Sequence, residues 1–137
     1  MSYVVAGSRF FDSGELLKQI QEKYPFKGIR DITKGSKRDD TLIYQIIQDA
    51  AELKEELLLD DLGPIEAEDL VEELMALGDE KVAMIGTLIP EEFLCYSYSY
   101  YYDEALEEIK CIFVALDKNV GELRLMDVAE RILRSID

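Results

Sequence analysis

The sequence predicts an α+β fold, with an antiparallel sheet of three to four strands packed against about four helices in one domain spanning residues 1–137. Three observations lead there. Apolar residues recur at three-to-four spacing through most of the chain before Gly78, the signature of amphipathic helices. After residue 81 they switch to continuous or alternating runs, as strands require. The chain has 137 residues, 48% hydrophobic and 33% charged, which is enough to fill one core and keep its outside wet.

In chain order, residues 3–6 (Tyr-Val-Val-Ala) read as a short strand closed by Gly7-Ser8. Asp12 or Ser13 caps a helix over residues 13–24, with Leu16, Leu17, Ile20 and Tyr24 on one face, and Pro25 stops it. A short strand is expected around residues 29–32. Residues 40–59 carry the clearest helical stripe, made by Leu42, Ile43, Ile46, Ile47, Ala50, Leu53 and Leu57. Pro64 suits the start of a third helix that Gly78 ends, packed antiparallel to the second.

Residues 82–89 are apolar apart from Gly86 and Thr87 and read as a buried strand. Residues 93–102 then alternate, placing Tyr96, Tyr98, Tyr100 and Tyr102 on one face of a strand. Residues 109–116 form a further buried strand, and the three together make a meander that residues 3–6 join. Gly121 leads into a last helix with Leu125, Met126, Ala129, Ile132, Leu133 and Ile136 facing the core.

Charge is distributed unevenly. Residues 1–38 hold eight Lys/Arg against four Asp/Glu, residues 39–80 one against fifteen, and residues 81–137 six against eleven. The total is −15. Such a chain repels a phosphate backbone, so direct nucleic-acid binding and binding to anionic membranes are not expected, and a basic or neutral protein partner is. No apolar run approaches the roughly 20 residues of a membrane-spanning helix, and the first residues lack a signal-peptide pattern, so a cytoplasmic location is expected.

Histidine is absent, which removes the usual general base at neutral pH and the commonest ligand of zinc and copper. The two cysteines, Cys95 and Cys111, fall within strand-like runs and read as buried filler. The carboxylate pairs Glu68/Glu72 and Asp69/Glu73 read as a solvated helix face. No catalytic residue, metal ligand or cofactor is assigned.

Two constellations remain. Gly7-Ser8-Arg9 reads as a strand-to-helix turn that offers backbone N–H groups and a positive helix end to an anion, and Lys34, Lys37 and Arg38 form the chain's basic cluster. Val5 to Asp12 resembles the opening of the Rossmann-like SLOG nucleotide-binding proteins, with Lys34-Gly35-Ser36-Lys37-Arg38-Asp39 standing where they have a second glycine turn. That resemblance is limited to these two segments and lacks the family's paired glycines; it implies a phosphate or nucleotide held by both. An ordinary turn, with the cations shielding the acidic helices, is the alternative.

The tyrosine face is either core or a contact surface, since tyrosine gives large amphipathic area at low entropy cost. The leading expectation is a non-catalytic protein–protein interaction protein or accessory subunit, self-associating as a homodimer or meeting a basic partner. The alternatives are a small phosphate- or nucleotide-binding protein, and an acidic nucleic-acid mimic that uses Asp60, Asp61 and the carboxylates from Glu66 to Glu73.

Overall fold

The computed structural model describes residues 2–59 and 67–136. Its elements are β1 (Tyr3–Ala6), β2 (Arg9–Asp12), α1 (Ser13–Lys23), β3 (Gly28–Asp31), a 3-10 turn (Thr33–Ser36), β4 (Thr41–Asp49), α2 (Ala50–Leu59), α3 (Ala67–Ala83), a second 3-10 turn (Met84–Leu88), β5 (Phe93–Asp103), β6 (Glu108–Asp117) and α4 (Glu122–Ser135). Among the described residues these make four helices and two antiparallel sheets, of two and four strands, so the fold is α+β.

The large sheet has the order β3-β4-β6-β5, with β4 and β6 at its centre. Side chains alternate across it. Leu42, Tyr44 and Ile46 of β4, with Ile109, Cys111, Phe113 and Ala115 of β6, face a core shared with α1, α2, α3 and the β1–β2 hairpin. Ile43, Ile112, Val114 and Leu116 point the other way, beneath Leu125, Val128, Ala129 and Ile132 of α4. Three helices thus cover one face and one helix the other.

Several expected elements differ from those observed. Residues 41–49 are a strand, and the helix begins only at Ala50. A central strand covered on both faces is buried almost without interruption, so its alternation disappears from the sequence, and Leu42, Ile43, Ile46 and Ile47 then imitate a helical stripe. The β-branched and aromatic content of Thr41 to Ile47 favours the strand.

Residues 82–89 are not a strand; they complete α3 and form the second 3-10 turn. Their buried members, Val82, Ile85 and Ile89, lie three and four apart, which is helical spacing. Gly78 does not end α3 but lies inside it, against the sheet. A Cβ there would sit 2.8 Å from Ser99 Oγ and 3.3 Å from Gln48 Nε2, so glycine permits the close approach.

Residues 3–6 are a strand but do not join the large sheet. β1 pairs with β2 through a two-residue turn in which Gly7 (φ 55°) and Ser8 (φ 69°) are both left-handed, as a tight hairpin demands. Gly7 is therefore a hairpin turn and not a strand-to-helix turn, and the alternating strands and helices of a Rossmann-like fold are not formed. α1 starts four residues later, where the Asp12 carboxylate accepts from Gly14 N at 2.9 Å. The expected strand near residue 29 is β3, and β5, β6 and α4 lie where the sequence placed them. The expected start of the third helix at Pro64 lies outside the described residues.

Candidate functional site

Among the described residues β5 has β6 on one side and no strand on the other. Ten consecutive residues, Phe93 to Tyr102, carry no charge. Phe93 N donates to Pro90 O and Ser99 N to the Asp79 carboxylate, so the odd-numbered residues from Phe93 to Ser99 direct their amides away from β6. Alternation places Cys95 and Ser97 in the same outward set. Natural sheets usually blunt such an edge with charge or proline; here, among the described residues, Asp79 of α3 does so, its carboxylate accepting from Ser99 N and its carbonyl from Ser97 Oγ at 3.5 Å, while the Ser97 amide is not engaged by it.

The tyrosines do not share one face. A bulge between Ser99 and Tyr101 shifts the pattern by one. Tyr96 and Tyr100 pack on the α4 side, where Tyr98 stacks on Tyr96 with centroids 6.3 Å apart. Tyr102 turns to the opposite core, with Lys54 Nζ 5.8 Å from its ring centre. Gln45 Nε2 donates to Tyr100 OH at 2.8 Å, and Arg30 Nη2 donates to Gln45 Oε1 at 2.6 Å.

The exposed tyrosines of β5 are Tyr98 (42%) and Tyr101 (51%), so Tyr101 replaces Tyr100 and Tyr102 as a surface candidate. Simple alternation already set Tyr101 on the face opposite Tyr100 and Tyr102, and that was the signal available in the sequence. Carboxylates surround the strand. Glu91 and Glu92 precede it, and Asp103 and Glu104 lie at and just beyond its end. Burial pushes the Tyr96 phenol up, and Tyr98, Asp79 and Glu130 add to the rise.

At the first turn the structure brings Arg9 to a carboxylate. Arg9 Nη1 donates to Glu92 Oε2 at 2.7 Å while its guanidinium lies 5.0 Å from the centre of the Phe11 ring. Gly7 N donates to Asp117 Oδ2 at 3.3 Å. The hydrogen bond and charge of Arg9 hold the Glu92 carboxyl below its usual range. Gly7 and Arg9 thus face carboxylates already present.

Lys34, Lys37 and Arg38 lie in and just after the first 3-10 turn, beside α4. Arg38 Nε and Nη2 grip Asp40 at 2.8 Å each, which raises the guanidinium pKa further. Lys37 and Arg38 line a cleft of about 460 Å³ together with Arg131 of α4, a residue the sequence did not connect to them. Lys34 does not line it. The sequence therefore joined two segments that the fold separates by function: the Gly7 turn meets acid, and the 34–38 turn meets α4.

A thiol is a weak nucleophile while protonated, and both thiols are held that way at neutral pH. Cys111 is buried filler as expected, but Cys95 is exposed at the edge of β5; desolvation of its sulfur still pushes that thiol up to about 11, and burial raises Cys111 too. Among the described residues no group of three Asp, Glu or Cys is arranged to hold a metal ion, and no helix is long and apolar enough to cross a membrane. Asp69, Glu72 and Glu73 are exposed on α3; Asp60, Asp61 and Glu66 of the proposed mimic lie outside the described residues, as does the side chain of Glu68. Compared with protein-family models, curated proteins and solved structures, the chain matches none.

Proposed function

We propose that the protein is a non-catalytic interaction protein that adds an extended segment of a partner to the open edge of β5. The observation that carries this reading is that edge: ten uncharged residues, outward amides at Cys95 and Ser97, and exposed Tyr98 and Tyr101 beside them. Main-chain hydrogen bonds would supply affinity, and the tyrosines a grip on alternate side chains of the incoming strand. The surrounding carboxylates select a segment with Lys or Arg at its ends.

A second copy of the chain fits less well. In a two-fold antiparallel pairing centred on Ser97, Asp103 comes close to the copy's Glu91, and two bodies of charge −15 meet. A cytoplasmic location suits two thiols that form no disulfide.

The test uses two synthetic seven-residue strands, both Val/Thr-alternating, one ended by Lys and the other by Glu. The Lys-ended peptide should bind saturably, and Cys95→Pro should weaken it at least about tenfold while leaving the fold intact, because the lost amide is not used by β6. Equal binding of both peptides, or binding unchanged in Cys95→Pro, overturns the reading. So does a dimer in sedimentation that Cys95→Pro turns into a monomer, since the edge would then belong to a second copy.

A further inference from the structure

The cleft between the Thr33–Ser36 turn and α4 is lined by three cations, Lys37, Arg38 and Arg131, and by no carboxylate. This composition runs against the chain as a whole, in which 30 Asp and Glu outnumber 15 Lys and Arg. Ser36 and Ser135 line it as well, their hydroxyls donating to Thr33 O and Ile132 O, and Val128 and Ile132 form an apolar wall. We infer that this cleft binds a small soluble phosphomonoester, with the phosphate among the three cations and the organic part against the apolar wall.

The cations suit that task in different ways. Arg38 is fixed in place by Asp40, and its Nη1 makes no hydrogen bond within the described residues, so a planar donor stands preset at the cleft. Lys37 makes no ion pair with any described residue. Its backbone is left-handed (φ 56°), which a lysine adopts at a cost of roughly 1 kcal/mol, and it caps the C-terminal end of the turn. Arg131 pairs with Asp127 at 3.2 Å, but its side chain is 68% exposed. An exposed pair one helical turn apart contributes well under 1 kcal/mol, so a dianion can draw Arg131 away at little cost.

The net charge of −15 does not forbid this. The acidic helices α2 and α3 pack on the opposite face of the sheet from α4. Their exposed carboxylates reach the cleft around the molecule through salt solution, in which exposed charges further apart than a Debye length of about 8 Å are largely screened. The carboxylates that compete for the cleft's cations are the near ones, Asp39 and Asp40 at Arg38 and Asp127 at both Arg38 and Arg131, and an incoming phosphate dianion must displace them or share the cations with them. The site is independent of the β5 edge, and its failure would leave that reading untouched.

Phenyl phosphate is the probe, with inorganic phosphate and phenol as its two halves, titrated while amide shifts of Gly35, Lys37 and Arg131 are followed. Saturable binding tighter than that of either half is expected. Lys37→Asn keeps the left-handed turn and Arg131→Gln keeps the helix; together they should weaken binding at least about tenfold, or about 1.4 kcal/mol, with the melting temperature unchanged. Lys34→Gln should leave it as it was. Shifts that never saturate, or binding that survives the double substitution, overturn the inference.

Discussion

Gly78→Val should destabilise the protein by about 3 kcal/mol and lower its melting temperature by roughly 10 °C, a large effect for a residue that a helix-propensity argument would gladly replace. In isolation glycine costs a helix interior about 1 kcal/mol relative to alanine, so replacing it ought to help. Here the helix surface touches the sheet. A Cβ at position 78 would lie 2.8 Å from Ser99 Oγ, whose hydroxyl is hydrogen-bonded to Cys111 Sγ at 3.3 Å, and 3.3 Å from Gln48 Nε2, which donates to Gly78 O at 2.9 Å. A branched side chain must push α3 off β5 and break both contacts. The mechanism is checked by a rescue: Gly78→Ala, unfavourable alone, should turn neutral or stabilising when combined with Ser99→Ala, because the closest atom is then gone. Chemical denaturation of the four proteins measures the coupling.

Tyr44→Ala should cost about 4 kcal/mol. The ring is fully buried at the centre of β4, and its hydroxyl donates to Ser13 O at 2.8 Å, joining the sheet to the first turn of α1. Alanine leaves a cavity and an acceptor without its donor. Tyr44→Phe removes only the donor and should cost about 1 kcal/mol.

The same residue sets a pH dependence. Burial, and then the charges of Asp31 and Asp12, hold the Tyr44 phenol above its ordinary pKa of about 10. Between pH 10 and the higher folded value the unfolded chain has released this proton and the folded protein retains it. Stability then falls as pH rises, by about 1.4 kcal/mol per unit for this one group, and is fully present below pH 10. Tyr44→Phe should show a shallower alkaline fall, by one proton, in unfolding measured across that range.

The parts of the fold that were legible in the sequence are those with one solvated face. Helix α4 kept Leu125, Ala129 and Ile132 of its expected stripe, with Val128 buried beside them in place of the exposed Met126, and α1 showed both its cap at Asp12 and its stop at Pro25. β6 was legible because its buried run was short and bounded by turns. β4 was not, because covering it from both sides erased the period that separates strand from helix.

Gly78 misled for a related reason. A glycine is read as a helix end by local rules, but its role here is a contact with residues 99, 48 and 109, far away in the chain. The tyrosine edge was half legible: the strand and its aromatic content followed from alternation, while the bulge that parts Tyr100 from Tyr102 depends on pairing with β6. The basic turn was visible as Lys34, Lys37 and Arg38, but Arg131 comes to it only through the packing of α4.

A reader of the sequence would place acid and base side by side in the chain; the fold instead sets the acidic helices α2 and α3 and the basic cleft on opposite faces of one sheet. An acid-fringed strand edge and a cation-lined cleft can then operate in one small protein without cancelling each other. The exchange rate of the Cys95 and Ser97 amides, followed by NMR alone and with the Lys-ended strand, tests this account most directly. Both should exchange quickly in the free protein, while the amides of β4 and β6 are strongly protected, and both should become protected on adding the peptide. Slow exchange at Cys95 and Ser97 before any peptide is added would mean that the edge of β5 is already occupied, and the account would be contradicted.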